Sequence, residues 1–433
     1  MLTLTILLFS LLTFLLFKRK IFSPGREAGR RLAHLLFSLG ALALTAGMLT
    51  QPKTVFQGAI TGLNLWWNIV FPSLLPFFII CEVLLSLGIV QFLGVLLEPV
   101  MRPLFNVPGA GSFVLAVGYT SGYPIGAMIT ARLRKERLCT RREAERLMAF
   151  TNNSSPLFML VAVSVGMFNN PQLGPLIAAA HYAANLTLGL ALRFFGRNDP
   201  ESAALPPARE SSLKRAFLEM FAVYDKDRRT AGKILADAAK NAVLNLLNIG
   251  GFIILFSVLI QLLTAAGLIG WLAQKLGLFL TPLGFSETLL PALASGLIEM
   301  TVGTKMASEA AAPLLQQVVA ASMILAWSGL SIQAQAASMI AETDIRLFPF
   351  VLSRIAHAIL AAIYTYFLFN FLPPFASGVL AKPEIIIIGH KFSFWPEIPA
   401  SLLVFTIVAG FLLLTAAVLH LGNGLRIIFL RIR

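Results

Sequence analysis

The strongest constraint in this sequence is a succession of apolar runs long enough to cross a bilayer. Trp66 to Val90 contains a single charged residue, Glu82, and Leu314 to Ile340 contains none. About 20 consecutive, mostly apolar residues make a spanning helix. An unpaired backbone group in hydrocarbon costs several kcal/mol, so a spanning segment is helical, or is broken only where it is buried in protein or faces water. The expected fold is therefore an all-α polytopic membrane protein with the lipid bilayer as its surroundings.

Composition supports this. Charged residues make up 12% of the chain, where a soluble domain carries about 25%. The net charge of +14 is explained by Lys and Arg retained in cytoplasmic loops, so no nucleic-acid partner is expected. Cys81 and Cys139 are too few for a disulfide framework. His34, His181, His357, His390 and His420 lack ligand spacing, so neither a metal nor a cofactor is expected.

Nine spans are expected, at 1–17, 32–50, 66–90, 147–168, 175–195, 242–266, 314–340, 348–371 and 398–420. The first is followed by Lys18, Arg19 and Lys20 with no positive charge before it. It reads as a helix entering from outside, not as a signal peptide. Residues 51–65 and the amphipathic 91–107 are expected at the interface. The basic run 132–146 is expected in solvent or at headgroups, and 373–397 in an external loop. Five regions follow: spans in 1–60, a first repeat in 61–196, a basic cytoplasmic linker with one amphipathic helix in 197–241, a second repeat in 242–372, and a loop with the last span in 373–433.

Two stretches do not suit a straight span. Gly118 to Ala127 reads GYTSGYPIGA, and Pro124 both lacks an amide donor and clashes with the preceding turn. One reading is a kinked helix packed through Gly122-x-x-x-Gly126; the other is a re-entrant hairpin lining a site. The second stretch, within 288–306, contains ASGLIEMTVGTKMA. With both as hairpins, alternating spans place 29 of the 34 Lys and Arg inside, with the N-terminus outside and the C-terminus cytoplasmic.

Residues 67–195 lie over 246–372 at an offset of about 175 to 180. Span, surface helix, hairpin, polar-broken span and span occur twice, starting from opposite sides. This is the order of an inverted-topology repeat, which places substrate near the midplane. The first half offers Thr120, Ser121, Gly122 and Tyr123 at its hairpin, and Asn152, Asn153, Ser154 and Ser155 at its break. The second offers Glu299, Thr301, Thr304, Lys305, Ser328, Ser331, Gln333 and Gln335. Half-helix amides suit carboxylates. Lys305 is expected either to attract an anion that Glu299 balances, or to pair with Glu299 structurally. Arg354 and His357 are expected at the cytoplasmic end of their span, snorkelling. No Gly-x-Ser-x-Gly, His-Glu-x-x-His or Walker loop occurs, so an enzyme is not expected.

SGYPIGA with TNNSSPLF, and GLIEMTVGTKMAS with SGLSIQAQ, resemble the YlbJ (SpoVV) family of sporulation integral membrane proteins. That family carries a nucleoside-recognition gate domain similar to part of the concentrative nucleoside transporters. The resemblance covers about residues 32 to 425. It implies an endospore-former's membrane protein that moves dipicolinic acid across the outer forespore membrane. The expected partner is then a small anionic substrate, and self-association as a homo-oligomer is compatible with such a carrier. A nucleoside carrier and a non-transporting sporulation scaffold are the alternatives.

Overall fold

The computed structural model describes residues 27–196, 201, 212–227 and 229–371, with the strand residues 385–387 and 390–392. The spans expected at 1–17 and 398–420 lie outside the described residues. The described chain is helical except for Ile385–Ile387 paired antiparallel with His390–Phe392, within the expected external loop.

The first half runs α1 (Glu27–Thr50), α2 (Pro52–Leu65), a π-helical turn Trp66–Val70 and α3 (Phe71–Ser86). Then come α4 (Ile89–Val100), a π turn Met101–Phe105, α5 (Gly111–Ser121), α6 (Ile125–Lys135), α7 (Arg141–Thr151), a π-helical segment Phe158–Met167 and α8 (Leu173–Leu192). After α9 (Leu213–Lys226) the second half runs α10 (Ala231–Ala265), α11 (Leu268–Leu280), α12 (Leu290–Ile298), α13 (Met300–Glu309), α14 (Leu314–Trp327), α15 (Gly329–Ile340) and α16 (Leu347–Phe371).

Five helical stretches are long and apolar enough to cross a membrane: Pro52–Ser86, Leu173–Leu192, Ala231–Ala265, Leu314–Ile340 and Leu347–Phe371. They correspond to five of the nine expected spans. Those expected at 32–50 and 147–168 contain the shorter apolar helices Phe37–Thr50 and Phe158–Met167.

Residues 51–65 are not a separate interfacial piece. They form α2 and run on without a gap into the turn at Trp66. Gly58 and Gly62 explain this, because they let α2 press against α10. A Cβ on Gly62 would lie 2.8 Å from Ile254 Cα, and one on Gly58 2.9 Å from Val258 Cα. Close backbone approach through small residues four apart is how helices associate in lipid. Trp66 Nε1 donates to the Leu246 carbonyl at 2.9 Å, locking the same pair. The π turn precedes Pro72, whose missing amide cannot close the usual bond one turn back.

The second-half span begins at Ala231, not at residue 242. Thr230 starts it by accepting from the Lys233 amide at 3.3 Å. The polar residues Lys233, Asp237 and Lys240 therefore sit in its first turns, so the helix takes in the last part of the expected linker. Residues 91–107 are also less superficial than expected, since Val100, Met101, Phe105 and Val107 are buried where α4 and its π turn pack on α5 and α8.

The basic run 132–146 is only partly solvated. Glu143, Glu145, Arg146 and Cys139 are buried: Glu143 pairs with Arg102, Arg146 donates to the Phe195 and Asn106 carbonyls, and Glu145 meets the turn before α16. Arg346 grips Glu145 with Nε and Nη2 at 2.6 and 2.8 Å. Arg134 holds Asp344 at 2.8 Å, and Lys135 pairs with Glu342. The Arg134 guanidinium keeps the Asp344 carboxyl below its usual range. Burial pushes the Cys139 thiol up to about 12, which leaves it protonated and unreactive at neutral pH.

Candidate functional site

Four interruptions of helix meet in the middle of the bundle, and each has a local cause. Between α5 and α6, Gly122 takes φ 79° and ψ −164°, a backbone conformation open essentially to glycine alone. Between α7 and the 158–167 segment, Asn152–Ser155 precede Pro156. The residue before a proline is driven from helical to extended geometry, and Asn and Ser side chains offer the backbone local alternatives. Between α12 and α13, Glu299 is extended at φ −142°. Between α14 and α15, Ser328 and Gly329 both have positive φ, 70° and 73°.

The glycines of GYTSGYPIGA serve the close packing of the first two breaks. A Cβ on Gly118 would collide with the Thr151 carbonyl oxygen, and one on Gly126 would lie 2.6 Å from it. One on Gly122 would lie 2.7 Å from the Ser155 nitrogen. The break between α5 and α6 thus clasps the end of α7. Small-residue packing and a broken helix, two readings of this stretch, are both present here.

A pocket opens where the breaks converge. Its polar lining is Ser121, Tyr123, Ser154, Ser155, Glu299, Thr301, Ser331 and Gln335. Its apolar wall comes from α3 (Leu74, Phe78) and α10 (Ile249, Phe252, Ile253). Two of the helix starts here are capped by their own chain: Ser155 Oγ accepts from the Phe158 amide at 3.2 Å, and Glu299 accepts from the Val302 amide at 2.7 Å. At the start of α6 the Ala127 amide donates to Asn152 Oδ1 at 3.4 Å, whereas the start of α15 has no side-chain cap.

Ser154 and Ser331 are each 1% exposed, and among the described residues neither hydroxyl finds a hydrogen-bond partner. The same holds for Asn152 Nδ2, Asn153 Oδ1, Ser328 Oγ, Gln333 Oε1 and Thr304 Oγ1. Buried polar atoms are normally satisfied, and leaving one unpaired costs about 1–3 kcal/mol. Such a cluster at the mouth of helix ends is a place for a polar guest.

The expected site residues divide by place. Ser121, Tyr123, Ser154, Ser155, Glu299 and Thr301 line the pocket. Gly122, Asn152, Asn153 and Ser328 form the breaks behind it, and Gln333 lies in the second turn of α15. There Asn153 Nδ2 donates to the Phe150 carbonyl at 3.1 Å and Gln333 Nε2 to the Trp327 carbonyl at 3.2 Å. Thr120 turns back to its own helix, donating to the Ala116 carbonyl at 2.9 Å. Thr304 is buried outside the pocket lining. Lys305 departs most from expectation: it pairs with Glu309 at 3.0 Å, not with Glu299, and does not line the pocket. On α13 its side chain follows the i,i+4 direction toward the C-terminal end of the helix, whereas Glu299 is occupied at the start.

Arg354 and His357 also differ from expectation, being fully buried and not snorkelling. α16 starts at Leu347, so both lie well inside it and face α7 and α8. Arg354 Nη1 donates to the Asn152 carbonyl at 3.2 Å, and Nη2 donates to the Ala149 carbonyl. Its guanidinium also lies 5.1 Å from the Phe350 ring centroid. Arg354 Nη1 lies 3.1 Å from His357 Nδ1, and His357 Nε2 lies 3.0 Å from the His181 carbonyl oxygen. A single tautomer, with Nδ1 accepting and Nε2 donating, serves both. Tyr182 Oη donates to the Ser154 carbonyl at 3.0 Å, and Asn185 Nδ2 to Tyr119 Oη at 2.8 Å. None of Tyr119, Tyr182, Asn185 or Arg354 is singled out as a site residue by the sequence. The available signal is that an ionisable residue inside a span is costly and defaults to a functional assignment.

The family model described as nucleoside recognition (Gate) matches residues 68–171 and 246–346, the two segments that contain all four breaks. An uncharacterized protein of Alkalihalophilus pseudofirmus is 30% identical over 130 residues, 28% of each chain. The sporulation integral membrane protein YlbJ of Bacillus subtilis is 46% identical over 337 residues, spanning 78% of this chain and 83% of that protein. With its apolar helices and this extent of identity, the chain is an integral membrane protein and belongs to the YlbJ family of sporulation proteins.

Proposed function

We propose that this protein is a carrier of a small anionic metabolite, with the pocket at the four helix breaks as its substrate site. The observation that carries this reading is the pair of buried, unpartnered hydroxyls of Ser154 and Ser331 in one pocket. Buried hydroxyls are normally satisfied, and these two face one cavity.

The placement of elements supports an inverted repeat. α2 and α3 pack on α10, and α8 packs on α16, each element against its counterpart. α7 touches α16 as α14 touches α8, and α6 touches α15 as α13 touches the 158–167 segment. The separation of 176 between His181 and His357, whose rings lie 4.5 Å apart, also carries Tyr123 to Glu299, Asn152 to Ser328 and Ser155 to Ser331. In this arrangement the two hairpins and broken spans move against α3 and α10, exposing the pocket to each side in turn. The basic end, where Arg134, Lys135 and Arg346 cluster, faces the cytoplasm under the positive-inside rule.

Dipicolinic acid is the substrate that the family resemblance favours. It is a small aromatic dianion, suited to the uncapped start of α15 and to serine donors. The Gate description, with Glu299 in the lining as a hydroxyl acceptor, favours a nucleoside as the second reading. Equilibrium binding of radiolabelled dipicolinate and uridine to the purified protein separates the two. Dipicolinate is expected to bind saturably and uridine not to compete; binding of uridine alone reverses the assignment, and binding of neither contradicts the carrier reading.

A further inference from the structure

We infer that Arg354 is the fixed positive charge that makes the pocket prefer anions. This deepens the carrier reading above and rests on it.

Among the described residues Arg354 is fully buried and has no carboxylate within ion-pair distance. Its partners are carbonyl oxygens, one imidazole nitrogen and an aromatic face. These dipoles orient the guanidinium and offset part of its desolvation, but they do not cancel its charge. The one buried carboxylate in the pocket lining, Glu299, is turned to its own helix at the Val302 amide. The charge of Arg354 is therefore left over inside the membrane region.

The pocket is close enough to feel it. Arg354 binds the Asn152 carbonyl, two residues from Ser154 of the lining. Tyr123, also in the lining, stands beside Arg354. A single layer of residues separates guanidinium and guest, in surroundings where water does not screen. Lys305, the cation expected from sequence, is held away by Glu309. At the separation of 176, the position matching Arg354 is Ala178, so this charge exists in one half only.

Arg354 stands outside the pocket lining, with Nη1 and Nη2 engaged by carbonyls and Nε buried without a partner among the described residues, so it acts on substrate through its field and not through contact. It therefore discriminates by the number of negative charges and tolerates changes of shape. The test is a competition series on the purified, detergent-solubilised full chain, using pyridine-2,6-dicarboxylate, its monoamide and its diamide, which keep size while changing charge. Wild type is expected to prefer the dianion over the diamide by at least about tenfold. Arg354→Gln should reduce that preference to about threefold or less, and Arg354→Lys should keep most of it. Arg354 also caps α7, so Arg354→Gln could fail to fold. Asn152→Asp then adds a negative charge on the residue whose carbonyl the intact guanidinium holds, and it should also reduce the preference. A merely structural Arg354 would weaken all three compounds equally and leave their ratio unchanged. An unchanged ratio in Arg354→Gln or in Asn152→Asp overturns the inference while the site stands. A wild type that binds all three equally overturns it as well. A wild type that binds none contradicts the carrier reading itself, and the inference falls with it.

Discussion

Gly122→Ala is expected to destabilise the protein by about 3 kcal/mol or more, or to prevent its assembly. Two costs add. The backbone at φ 79° and ψ −164° is nearly closed to any residue with a Cβ, at roughly 1–3 kcal/mol. The new methyl would also sit 2.7 Å from the Ser155 nitrogen and 2.8 Å from its Cβ. Neither atom belongs to a flexible chain end, so one of the two breaks must move. Gly251→Ala is the control. Gly251 lies on α10 with nothing within 4 Å of its would-be Cβ, and alanine favours helix there. Thermal unfolding followed by circular dichroism in detergent should show a large loss for Gly122→Ala and none for Gly251→Ala. Equal behaviour would mean that the break at Gly122 is not built as described.

The double variant Ser154→Ala, Ser331→Ala should do the reverse. Both hydroxyls are buried without partners among the described residues. Their removal should leave the ligand-free protein equally stable, or more stable by about 1 kcal/mol. If the pocket holds substrate, the same change removes two donors and should weaken binding by about tenfold to a hundredfold. Stability and affinity moving in opposite directions mark a binding group, whereas a core hydroxyl would lose stability on removal. Melting temperature and dipicolinate affinity, measured on the same preparation, decide between them.

The parts that could be read from sequence share a cause. Long apolar runs can only be helices in lipid, so five expected spans reappear as long apolar helices. Pro124, Pro156 and Gly329 carry backbone restrictions or freedoms within single residues, so the breaks near them were legible. Long-range partners were not. Arg354 reads as a snorkelling cation because its environment is set by the Ala149 and Asn152 carbonyls, some two hundred positions away. Glu299 and Lys305, six apart across a glycine, read as a pair only if the chain folds them together, and Glu309, one helical turn from Lys305, takes the lysine by local geometry. Residues 51–65 looked interfacial because Pro52 and Lys53 are polar signals. The contact that makes them a continuous helix depends on Gly58 and Gly62 meeting α10, which no local pattern announces.

The central claim is that this chain carries a small anion through the pocket at its four helix breaks. It is tested most directly by uptake of radiolabelled dipicolinate into proteoliposomes containing the purified wild type or the Ser154→Ala, Ser331→Ala variant. The expected result is saturable uptake by wild type and strongly reduced uptake by the variant at equal insertion and with no loss of melting temperature. Absence of uptake by folded wild type, or undiminished uptake by the variant, would contradict it.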